Sequence, residues 1–176
     1  MNPNTEKLLR AVVATFCKKT PDPAIHFFHP NQFTLQVHAH DCGRLVGKGG
    51  IVIWALQTLL WYAGMANTGQ PFALRLLEPI PVPKDVLPPP FRPKSELDKK
   101  RWGEFVDLIL QTCMGMDKGS WVIEDFERVV MRIRLEKYLK VASVDPAIDE
   151  AIQIIVHAAG MANGVNMEVV VEWGKN

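Results

Sequence analysis

The chain has 176 residues, 48% of them hydrophobic, and 20 Lys and Arg against 19 Asp and Glu, for a formal net charge of +1. That apolar content suffices for a packed core and argues against disorder. The charge balance excludes a polybasic protein that holds nucleic acid by bulk electrostatics, although residues 1–90 carry eight Lys/Arg against five Asp/Glu while residues 91–176 carry twelve against fourteen.

Asn4 or Thr5 is placed to cap a first helix, in which Leu8, Leu9, Val12, Val13 and Phe16 share one face. Lys18 and Lys19 fall in its last turn, and Thr20-Pro21-Asp22-Pro23 ends it. A short strand is expected over 25–29. A second follows over 33–40, with Phe33, Leu35 and Val37 inward and Gln36 and His38 outward. A short helix over 41–46 leads into Gly47-Lys48-Gly49-Gly50, and an apolar helix over 51–65 leaves it. A helix apolar on every side is ordinarily covered on every side. Trp54 and Trp61 are therefore expected to pack against the rest of the chain or a second subunit, with base stacking as the functional alternative. A strand over 72–77 closes this half.

The stretch Asp41-Cys42-Gly43-Arg44-Leu45-Val46-Gly47-Lys48-Gly49-Gly50 holds four glycines and two cations. Glycine permits positive φ and close approach of backbone to a ligand. A glycine turn opening a helix aims free N–H groups at the positive end of the helix dipole, an arrangement that binds phosphate. Lys48 lies inside the turn and Arg44 one helical turn earlier. The spacing excludes a P-loop, because Gly49 and not Ser or Thr follows Lys48. It also excludes the GxGxxG dinucleotide fingerprint. A ligand-free αα turn remains the bland alternative.

Gly47-Lys48-Gly49-Gly50 satisfies GxxG. Together with Gly43-Arg44-Leu45-Val46 before it, and Ala55-Leu56, Thr58-Leu59-Leu60 and Ala63-Gly64 after it, the stretch resembles the small bacterial KH-domain RNA-binding proteins. The resemblance implies the type II order α-β-β-α-α-β, a three-stranded sheet packed on helices, and a GxxG loop that clamps the backbone of about four single-stranded nucleotides. It implies phosphate contacts from residues 47–50, with Lys48 and Arg44 adding charge. It also implies an apolar groove of Leu45, Val46, Ile51, Val52 and Ala55 for the bases.

Beyond residue 78 the composition changes. Seven of the thirteen prolines lie between Pro79 and Pro93, which reads as an extended linker over 79–94. Past it, Ala63-Gly64-Met65-Ala66-Asn67 recurs as Ala159-Gly160-Met161-Ala162-Asn163, an offset of 96 residues. The element order recurs with it: a helix over 95–113 capped by Ser95, strands over 121–127 and 128–139, a helix over 146–161 capped by Asp145, and a strand over 167–173. The expected architecture is α+β, with a KH-like unit over 1–78 and a second over 95–176. At the same offset the glycine turn maps onto Ser143-Val144-Asp145-Pro146. Glycine and cation are both gone, and Asp145 would occupy the helix amides itself. The second unit is thus expected to be a degenerate copy.

Three cysteines, Cys17, Cys42 and Cys113, form no CxxC pair. A reducing compartment, the cytosol, is expected in place of a disulfide scaffold. No signal segment opens the chain and no apolar run is long enough to span a bilayer, so no membrane is expected. His38, His40 and Cys42 lack a fourth ligand for zinc, and no residues pair for acid–base or thiol chemistry. The sequence therefore points to a non-enzymatic binder of single-stranded RNA, or of single-stranded DNA, with no metal or cofactor. The rival is a scaffold that keeps the fold and binds protein, or a second copy of itself, through the Trp54/Trp61 helix.

Overall fold

In a computed structural model of the chain, the residues described are 3–18, 20, 23–28, 30–81, 99–115, 121–127, 130–135, 145–163 and 168–173. The architecture is mixed α+β, with five α-helices and two three-stranded sheets among these residues.

Helix α1 spans Pro3–Phe16. Leu8, Leu9, Val12, Val13 and Phe16 line its buried side, as their spacing predicts. Its start corrects the expected cap. Proline suits the first helical position, where its missing N–H has no partner to lose. Asn4 and Thr5 thus lie inside the helix, with Thr5 buried. Lys18 falls beyond the last turn and Lys19 outside the described residues.

Strands β1 (Ala24–Phe28) and β2 (Gln32–Gln36) pair antiparallel. Strand β3 (Ala73–Leu76) adds to β2 in parallel, so β2 is central. Phe33, Leu35 and Val37 are buried as expected, and Thr34 is buried too. It sits on the opposite face of a strand flanked on both sides. The parallel ladder runs past residue 78: the Leu77 N–H donates to Leu35 O at 2.9 Å, and the Ile80 N–H to Val37 O at 2.9 Å. The chain therefore stays with this sheet to Ile80, later than the composition change suggested. The rest of the proline-rich stretch, residues 82–98 and with it Ser95, lies outside the described residues.

Between β2 and β3 come α2 (Ala39–Val46), a single 3-10 turn (Lys48–Gly50) and α3 (Ile51–Thr68). Lys48–Thr68 is long and apolar enough to cross a bilayer, a test that a core helix also passes, and α3 packs against β3, α2 and two helices of the second half.

That half repeats the pattern. Helix α4 (Lys99–Met114) precedes β4 (Trp121–Glu127) and β5 (Val130–Leu135), which pair antiparallel. Helix α5 (Pro146–Ala162) precedes β6 (Glu168–Trp173), which pairs with β5 in parallel. Again the middle strand in sequence is central in the sheet. Any counterpart of α2 would fall in residues 136–144, outside the described residues. Helices α3 and α1 of the first half pack on α4 and α5 of the second. Their buried side chains, from Leu8 through Leu60 and Ile109 to Ile155, form one continuous apolar core.

Candidate nucleic-acid interface

The α2–turn–α3 segment is pinned from below by a buried carboxylate. Asp41 is fully buried. Its Oδ1 accepts the Lys18 N–H at 3.1 Å and its Oδ2 the Thr20 hydroxyl at 2.9 Å. Thr20 Oγ1 in turn accepts the His38 N–H at 3.0 Å. These bonds tie α2 to the end of α1. Burial, and then the Asp41 charge, pushes the Cys17 thiol up to about 12. Asp41 escaped the sequence reading because an acid in a helical first turn is an ordinary partner of the dipole. Nothing local marks its burial.

Three glycines shape the turn. Gly47 has φ 74° and ψ 172°, a combination open to almost nothing but glycine. A Cβ there would lie 2.5 Å from Val52 Cγ2. Gly49 (φ 64°, ψ 15°) and Gly50 (φ 81°, ψ 11°) are left-handed. At these two positions a Cβ would meet nothing within 4 Å, so the space outside them is open. The Gly47 N–H donates to Gly43 O at 3.0 Å, the Gly50 N–H to Gly47 O at 3.2 Å and the Ile51 N–H to Lys48 O. The Lys48 and Gly49 amides donate in none of these bonds, because the first amides of a helical turn have no acceptor within it. Lys48 and Gly49 are exposed. Arg44 is exposed as well, with Nη1 3.9 Å from Asp41 Oδ1, so its charge is partly matched. The assembly of free amides, helix N-terminus and ammonium suits an anion.

The expected apolar groove is narrower than its five residues. Leu45 and Ala55 are fully buried and Val52 is 5% exposed, all three within the core. They support the turn from inside and cannot carry a base. Val46 is half-buried, and Ile51 is 46% exposed. The indoles are not covered by the rest of the described chain. Trp54 is 40% exposed and Trp61 44%. Helices α4 and α5 do cover α3, but the indoles lie on the arc these helices leave open.

The start of α5 carries a side-chain cap instead. Asp145 Oδ1 accepts the Ala147 N–H at 3.0 Å. Tyr62 on α3 lies beside this carboxylate, and its influence first, then the Ala147 N–H, holds the Asp145 carboxyl below its ordinary value. Tyr62 is raised, first by burial and then by Asp145. Ser143 and Val144 lie outside the described residues. No known protein family, curated protein or solved structure matches the chain.

Proposed function

We propose that this protein binds single-stranded nucleic acid, RNA before DNA, by closing the open turn at residues 47–50 on the phosphate backbone. In this reading residues 3–81 form a type II KH-like unit, and the second half is a KH-like copy that has lost its grip. The element order helix, strand, strand, short helix, glycine turn, helix, strand supports the first assignment. The shared strand pairing and the recurring Ala-Gly-Met-Ala-Asn support the second. The observation that carries the proposal is the open turn, with two amides free and no side chain filling the space among the described residues, and a lysine exposed. Val46 and Ile51 supply the apolar floor next to it. The role is binding without chemistry, in a reducing compartment such as the cytosol.

Fluorescence polarisation against labelled oligouridylates tests this. Lys48→Asp/Gly49→Asp should weaken binding at least tenfold while the melting temperature holds, since Asp tolerates left-handed backbone better than most residues. Affinity should be modest and fall with salt. Unchanged binding by the double variant would remove the clamp. The rival reading, a protein-binding scaffold, draws on the near-neutral charge and the exposed indoles. It predicts no binding of the unmodified protein to RNA or DNA oligonucleotides.

A further inference from the structure

We infer that the strand held at residues 47–50 continues along the open side of α3 and stacks bases on Trp54 and Trp61. This rests on the proposed clamp and extends it. Ile51, Trp54, Trp61 and Met65 are 46%, 40%, 44% and 42% exposed. Their spacing sets them on one side of the helix. The stripe begins at the residue after Gly50, so turn and stripe are one continuous surface. At about 1.5 Å per residue Trp61 stands roughly 15 Å beyond Ile51, and the two indoles roughly 10 Å apart, far enough for each to take its own base.

Aromatic faces stack any base, which suits a clamp that reads backbone. Trp61 is also braced. Its ring meets Tyr62 edge to face with centroids 5.0 Å apart. A second copy of the chain is the weaker occupant. Four such side chains at this exposure present on the order of 400 Å², against the roughly 800 Å² per partner of a stable interface.

The test compares labelled oligouridylates of four and ten nucleotides. Trp61→Ala should weaken the ten-mer about fivefold or more, near the loss of one stacked base. It should leave the four-mer unchanged, and Trp61→Phe should recover most of the loss. Lys48→Asp/Gly49→Asp should weaken both oligomers. In the unmodified protein, a ten-mer carrying 4-thiouridine should crosslink to the peptide holding Trp54 and Trp61, a readout that needs no variant to fold. If the double variant abolishes binding but Trp61→Ala spares the ten-mer, or weakens both lengths alike, this inference falls and the clamp stands. If the unmodified protein binds neither oligomer, both fall. A Trp61→Ala protein that turns from dimer to monomer with ten-mer binding intact would assign the stripe to a second copy and overturn the inference.

Discussion

At the scale of single residues, the three glycines of the turn are not equivalent, although the sequence writes them alike. Gly47 combines a glycine-only φ/ψ with close approach to Val52, whereas Gly49 is merely left-handed with open space around it. Gly47→Ala should therefore cost about 3 kcal/mol or more, from backbone strain plus the clash. Gly49→Ala should cost about 1 kcal/mol. Urea denaturation of both variants separates the two. Equal losses would mean that Val52 yields and that Gly47 is not the geometric keystone of the turn. The glycines and Lys48 were legible in sequence because their chemistry is local. The burial of Leu45, Val52 and Ala55 was not, because it is set by partners distant in the chain.

At the scale of elements, α3 and α5 are the same helix with opposite beginnings. Their ends agree in detail. Asn67 Nδ2 donates to Ala63 O at 2.7 Å and Asn163 Nδ2 to Ala159 O at 2.8 Å, four residues back in each case. Ala63 and Ala159 are fully buried, while Met65 and Met161 are exposed. Their starts differ: open glycines in one, a capping aspartate in the other. Asp145→Ala removes the cap on Ala147 N–H. It should lower the melting temperature by about 2–4 °C, the shift that loss of one cap produces in a chain of this length. The folded pKa of Asp145 is depressed, so its contribution is present above the ordinary carboxylate value and fades on acidification. The gap between Asp145→Ala and the unmodified protein should accordingly close toward pH 3 in a thermal scan. The repeat and the cap at Asp145 were read correctly from sequence, since both are short-range. The nearness of Tyr62 was not, since only packing brings the two elements together.

At the scale of the whole molecule, the two halves share one core. Cys17 follows α1 and Cys113 lies in α4, and both are buried. Burial raises both thiols, Cys17 to about 12 and Cys113 beyond the ordinary range. Unfolding frees them to ionise near the ordinary value of 9.0, so above that pH the unfolded chain releases protons that the folded chain keeps. The thiols' contribution should be level below pH 9, and stability should fall as the pH rises from there toward 12. Melting scans from pH 7 to 11 should show a decline of several degrees that is reduced in Cys17→Ala/Cys113→Ala. A flat profile in the unmodified protein would mean that the thiols are solvated.

Periodicity, the glycine spacing and the 96-residue offset determined by themselves that this chain is α+β, that an order of helices and strands recurs in its second half, and that the glycine turn does not recur with it. Each of these is written in residues close together or in a direct comparison of two segments. Packing alone decided which side of the all-apolar α3 stays bare, that Asp41 is buried beneath the turn, and that Tyr62 lies beside Asp145. A helix apolar all round gives no internal sign of its covered side. That choice is made by where α4 and α5 come to rest, and their position depends on the shared core and on no local pattern.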